Sequence, residues 1–313
     1  MRLFKNLLPV ISFSAILLLG SVSAFAQSNG ASQVPVTVTV TVLGDNFQSA
    51  PPIPQEDVTV HSGKSLLKVT AWQPAQNSQQ GALQLAILID DDVRTSLLAQ
   101  QMGEIANFIE NQPETAYVGV FYADHGSAYP AAPFTTNHDQ AARALRLTLG
   151  RNGESPSVYL SLADLASHWP SNEPGRREVL LFCSGTDILN PGIEDPYFDS
   201  AVDAVQKAGL NVHAIYVAGL RYTNSFQGEI SGEKLIQVTD DTGGHTFNEA
   251  FANPVSFAPY LTQMNQVLNN QYSLTFLMDR SKNKKGELRP VEIRLEEHGV
   301  KISAPHDVFV PGP

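Results

Sequence analysis

From Leu83 to Ile89 every position but Gln84 is apolar, and the run stops in three carboxylates, Asp90-Asp91-Asp92. An apolar run of that length reads as a strand buried on both faces, the signature of a central strand in a parallel sheet. The next residues change period: Leu98, Met102, Ile105 and Ile109 recur at helical spacing within Thr95 to Glu110. The same alternation continues down the chain. Tyr117 to Tyr122 reads as a strand, and a loop leads from it to a helix over Asp139 to Leu149 that Gly150 stops. A helix over Val158 to Trp169 ends at Pro170, a buried strand follows at Val179 to Cys183, and Phe198 to Ala208 is a helix closed by Gly209. Val212 to Val217 is a strand, Lys234 to Thr242 a helix closed by Gly243-Gly244, and His245 to Phe247 a short edge strand. Phe257, Tyr260, Leu261, Met264 and Leu268 form the buried stripe of a last helix. Strands alternating with helices at these spacings predict an α/β domain over residues 81–271, a doubly wound, mostly parallel sheet of Rossmann-like type.

Outside that span the pattern is strands alone. Residues 34–80 hold a period-two run from Val36 to Val42, then Val58 to Val60, then Leu66 to Trp72. Residues 272–313 hold Tyr272 to Met278, Val291 to Leu295, Val300 to Ile302 and Val308 to Val310. Neither segment has strands enough to bury a face alone, so the two are expected to pair as one small β-sandwich lobe flanking the α/β domain.

Composition refines this picture at the amino terminus. Arg2 and Lys5 precede an apolar segment from Leu7 to Leu19, and Ala24-Phe25-Ala26 offers small residues at both positions of a signal-peptidase site. Residues 1–26 therefore read as a signal peptide with cleavage before Gln27. The mature chain is expected to be exported, to the periplasm or outside the cell. No later stretch is both long and uncharged enough to span a bilayer. Cleavage would take the formal charge from −11 to −13, since the leader holds two positive residues and no negative ones. So acidic a chain is a poor partner for nucleic acid. Cys183, the only cysteine among 313 residues, has no internal disulfide partner, and stability must come from packing.

The loops at the carboxyl ends of strands in an open α/β sheet line the ligand crevice, which puts Asp90, Asp91 and Asp92 where recognition is usually placed. One of these acids is expected to cap the following helix. Cys183 and Ser184 have no histidine nearby in a catalytic motif, so a nucleophile there lacks its base, and Cys183 reads as a core residue. His125, His138, His245 and His306 have no ligand spacing. His245, just past a helix end, would be mildly favoured there as a cation. Ser281 to Gly286, with three lysines, reads as a hairpin loop.

Taken in order, several pieces resemble the von Willebrand factor A (VWA) fold, and in particular the exported bacterial family described as the VWFA-related Acidobacterial domain. They are Glu56-Asp57-Val58-Thr59-Val60 after a valine-rich strand, the strand ending at Asp90, Pro133-Phe134-Thr135, Leu180 to Gly185, Thr242 to Phe247, and Val300-Lys301-Ile302. The resemblance spans nearly all of the mature chain. It implies a metal-ion-dependent adhesion site, which in such domains joins an Asp-x-Ser-x-Ser loop to a later threonine and a later aspartate and suits Mg²⁺. Asp90 matches the first acid; Asp92 stands at the first serine, Arg94 at the second, Ser157 at the threonine and Ser184 at the late aspartate. The site is thus degenerate. Asp90, Asp92 and Ser157 are the residues left to ligate a divalent cation if one binds, and Arg94 is expected to pair with Asp90 or Asp92 in the metal's place.

The leading functional expectation is a non-enzymatic module without a cofactor, in which the crevice of Asp90, Asp91, Asp92, Arg94, Ser157 and Ser184 engages another protein. Two alternatives remain: a hydrolase using acids of the same crevice, and a structural envelope protein docking through its β lobe.

Overall fold

All eight residues of the strand Leu83–Asp90 are buried, and they set the centre of the molecule. The computed structural model describes residues 33–78, 81–149, 157–187, 192, 194–219, 225–248 and 251–313. The expected leader with its cleavage site, and the glycine stop expected at position 150, lie outside the described residues.

The chain enters through β1 (Gln33–Leu43), β2 (Val58–Ser62) and β3 (Ser65–Pro74). The α/β portion follows as β4 (Leu83–Asp90), α1 (Thr95–Glu110), β5 (Tyr117–Asp124), β6 (Ser127–Thr135), α2 (His138–Arg143), α3 (Val158–Ser167), β7 (Arg176–Cys183), α4 (Pro196–Ala208), β8 (Leu210–Tyr216), α5 (Ser225–Asp241), β9 (Thr246–Phe247) and α6 (Ala258–Asn269). The last strands are β10 (Gln271–Asp279), β11 (Glu287–Pro290), β12 (Glu292–Leu295), β13 (Lys301–Ser303) and β14 (Asp307–Val310).

The α/β sheet has the order β6-β5-β4-β7-β8-β9. All pairings are parallel except that of β5 with β6. That is the doubly wound order with one antiparallel edge strand, and its direction of winding reverses between β4 and β7. Period two splits the strand residues between two cores. Leu85, Ile87 and Ile89 pack with α1, α2 and α6, whereas Ala86 and Leu88 pack with α3, α4 and α5.

The second sheet has the order β12-β2-β3-β10-β1-β13, and β11 pairs with β14 beside it. In the long β1–β10 ladder, Val36, Val38 and Val40 stand opposite Phe276, Leu274 and Tyr272. These valines and their partners share one core with Val60, Ile293 and Val310. The alternate positions, Thr37, Thr39 and Thr41, stand opposite Thr275, Ser273 and Gln271, so the other face of this ladder is polar.

Three local expectations are corrected. Ser127–Thr135, expected as a loop, is the edge strand β6. The helix expected over Asp139 to Leu149 ends at Arg143, freeing the residues after it for the contacts described below. The lysine-rich loop of residues 281–286 is not a hairpin, because β10 and β11 belong to different sheets.

His245 is corrected as well. Burial, reinforced by the neighbouring His213, pushes its imidazole down to about 3, so the ring is neutral rather than a cation at the helix end. It packs against Phe47, Phe247 and His213, and its Nε2 has no hydrogen-bond partner. A histidine neutral when folded and protonated below about pH 6.5 when unfolded makes stability fall as pH drops from 6.5 towards 3, by about 1.4 kcal/mol per pH unit. The loss of stability between pH 7 and pH 4.5 should shrink by about 2.5 kcal/mol in His245→Phe. Urea unfolding of the parent and variant at both pH values checks this.

Among the described residues no helix is long and apolar enough to cross a membrane.

Candidate functional site

The winding reversal opens between the carboxyl ends of β4 and β7, and the chain places Asp90, Asp91 and Asp92 at one lip and Ser184 at the other. Backbone hydrogen bonds fix the first loop on three sides. Asp91 N–H donates to Ala123 O, Val93 N–H to Asp90 O, and Arg94 N–H to Ala218 O. The Asp92 N–H also donates to Asp90 Oδ1 at 3.1 Å. The three acids, Ser157 and Ser184 are all buried. They form the floor of the crevice rather than its surface. No acid caps α1, whose N-cap position is Arg94 without a side-chain cap.

Asp91 is gripped from the loop after α2. Arg146 donates to it bidentately, Nη1 to Oδ1 at 2.8 Å and Nη2 to Oδ2 at 2.6 Å, and the Leu149 N–H adds a third bond to Oδ1. The guanidinium lies 3.7 Å from the centre of the Tyr122 ring, and the Tyr122 hydroxyl donates to Arg146 O while accepting the Arg146 N–H. A bidentate pair stacked on an aromatic face fixes both charge and orientation. The Asp91 bond holds the guanidinium above even its ordinary range.

The second lip is held by hydroxyls and a further ion pair. Ser157, just before α3, donates to Asp187 Oδ2 at 2.7 Å, and Ser184 donates to Thr186 Oγ1 at 3.0 Å. Gly219 fits closely here: a Cβ on it would stand 3.0 Å from Ser184 Oγ and 3.4 Å from Asp92 Oδ2. Asp195 caps α4 through the Tyr197 and Phe198 N–H groups, and its other oxygen takes Lys234 Nζ at 2.6 Å, with both side chains buried. Burial pushes the Tyr159 hydroxyl well up, and Cys183, Asp187, Asp195 and Asp90 push it further. Burial and Asp90 likewise push the Cys183 thiol up, so it stays protonated and is no nucleophile.

Arg94 does not join the acids. Its Nε donates to Gly219 O at 2.9 Å, and no ion pair links it to Asp90 or Asp92. Among the described residues, Arg146 meets the acidic loop, on Asp91. A Mg²⁺ ion needs several hard oxygens with lone pairs turned to one point. Here Arg94 offers donors only, and Asp90 Oδ1 already accepts a backbone N–H. Among the described residues no three acidic, histidine or cysteine side chains converge so as to hold a metal ion. The described donor set does not fit the cation.

No family model matches the chain. No curated protein matches it either. Solved structures do. An aerotolerance-related membrane protein from Bacteroides fragilis NCTC 9343 is 11% identical over 60% of this chain and 99% of its own, with a TM-score of 0.43. The SpRpn10 VWA domain is 14% identical over 58% and 94%, with a TM-score of 0.37. The manganese-loaded TRAP protein of Plasmodium vivax is 10% identical over 82% and 100%, with a TM-score of 0.39. These scores are low, and the fold class rests on the strand order and helix placement given above.

Arg146, Asp187, Asp195 and Lys234 were not singled out by sequence. Asp195-Pro196 did carry a helix-start signal, a capping aspartate before a proline at the first helical position. Arg146 and Lys234 carried none, because each meets its acid across a distance in the chain that no spacing rule covers.

Proposed function

We propose that this chain is an exported VWA-like module, related to the VWFA-related Acidobacterial domain, that binds another protein in the periplasm or outside the cell. The contact is made by the loops at the carboxyl edge of the α/β sheet, and the degenerate metal site serves as their floor. One observation carries the reading: large apolar side chains stand exposed beside buried polar anchors, on the loop after α2 and in the first turn of α4. Leu149 is 52% exposed one residue after Thr148 and donates its N–H to Asp91; Tyr197 is 57% exposed and donates its N–H to Asp195. Leu147 is exposed beside them in sequence. Exposed apolar groups on a rigidly braced frame are what a protein partner buries, and bracing lowers the ordering cost of binding.

A hydrolytic reading is less favoured, because Asp91 is buried under Arg146 and Asp187 accepts the Ser157 hydroxyl, so neither faces open space as a general acid or base would.

Affinity capture from an envelope extract tests the proposal, with the parent and the Leu149→Glu/Tyr197→Glu variant compared in Mg²⁺ and in chelator. The parent should retain a discrete partner under both conditions, and the variant should lose it with an unchanged melting temperature. Equal capture by both proteins, or capture that needs Mg²⁺, would contradict it.

A further inference from the structure

At the opposite end of the α/β sheet, the polar face of the β1–β10 ladder leans over the start of β7 and the end of α4, leaving a cleft of about 290 Å³. That lies at the lower end of the size of small-molecule sites, about 300–1,000 Å³. Arg176 lines it, only 7% exposed. Its Nη1 is anchored by Leu268 O at 2.6 Å and Gln271 Oε1 at 2.5 Å. Among the described residues Nε has no partner, no hydrogen bond engages Nη2, and no carboxylate lies within ion-pair distance of the guanidinium. The nearby acid, Glu178, has its two oxygens on His213 Nε2 and Gln271 Nε2. A guanidinium withdrawn from water without a counter-charge is costly, and burial indeed lowers the Arg176 pKa.

The unused Nε and Nη2 are the side edge of the guanidinium, two parallel donors spaced for the two oxygens of a carboxylate. A second buried donor lines the same cleft: Asn211 is 4% exposed, and its Nδ2 has no partner. Ser273 contributes a hydroxyl, while Leu210 and Phe309 give apolar wall. Asp307 is the one carboxylate among the lining residues. Burial, with Asp241 beside it, raises its carboxyl above the usual range and weakens its opposition to a second acid.

From these observations we infer that the cleft is a binding site for a small organic carboxylate with an apolar body, held by the Nε–Nη2 edge of Arg176 and the Asn211 amide. It is remote from the crevice of the carboxyl-edge loops and does not depend on the function proposed for them.

The test follows the Arg176 Nε–H resonance in the full ¹⁵N-labelled chain during titration with benzoate, with its neutral isostere benzamide, and with inorganic phosphate. Benzoate should give a saturable shift, and benzamide should bind about tenfold more weakly because it cannot accept the paired bonds as an anion. Arg176→Gln also removes the anchor of Leu268 O and can unfold the end of α6. Thr39→Phe, which fills the cleft from the sheet face, and Asn211→Leu are therefore the deciding variants, and each should weaken benzoate binding by about tenfold or more. No saturable shift with benzoate would overturn the inference. So would equal binding of benzamide, tighter binding of phosphate, or undiminished benzoate binding by Thr39→Phe.

Discussion

Replacing His213 by leucine should destabilise the folded protein by about 3–5 kcal/mol, the cost of leaving a fully buried carboxylate without one of its donors. His213 and Glu178 side chains are both 0% exposed, and Nε2 lies 2.8 Å from Oε2. The His245 N–H donates to His213 Nδ1, so the ring must present its proton to the glutamate from Nε2. Leucine leaves the Glu178 carboxylate with Gln271 as its remaining hydrogen-bond donor, in a site water does not reach. Because Gln271 opens β10 while Glu178 lies on β7, the effect should reach both sheets at once. Glu178→Gln, which keeps the shape and removes the charge, should cost less than His213→Leu. Chemical denaturation followed by far-UV circular dichroism gives both values, and a loss under about 1 kcal/mol for His213→Leu would show that the network carries little stability.

Arg146→Ala should cost about 2–3 kcal/mol, less than a wholly buried pair because the guanidinium is 37% exposed. The functional consequence is larger than the energy suggests. Without Arg146, Asp91 keeps the Leu149 N–H as its one contact among the described residues of that loop, and the loop loses its cation–π seat on Tyr122. Arg146→Lys should recover part of the stability but not the bidentate geometry. Partner capture should fall in both variants, whereas Arg94→Ser, which removes only the bond to Gly219 O, should retain it. Hydrogen exchange at Leu149 should rise in Arg146→Ala, and an unchanged rate would show that the clamp does not order the loop.

The parts of this molecule that sequence made legible are those where burial alone dictates residue type. β4 could be read because both its faces are covered. Even its one polar interior residue, Gln84, is satisfied, by Trp169 Nε1 and Glu173 O. β6 could not, since an edge strand with Pro130 and Pro133 and irregular register near Val120 shows neither period clearly. The expected helix through Leu149 failed for a different reason: helical spacing of Ala142, Leu145 and Leu149 is a local signal, and the pull of Asp91 on Arg146 and on the Leu149 N–H is tertiary. The acidic loop was visible as a site. The pairing of Asp91 was not: its guanidinium comes from an arginine 55 positions away.

The most direct measurement of the proposed contact surface is site-specific photocrosslinking of the full chain in an envelope extract. The photoreactive residue is placed at Leu149, at Tyr197, or at Leu66, which is 66% exposed near the β2–β3 turn. Crosslinks to one common partner from positions 149 and 197, unchanged by chelator and absent from position 66, are expected. Crosslinking confined to position 66 would instead assign docking to the other sheet and contradict the proposal that the braced carboxyl-edge loops make the contact.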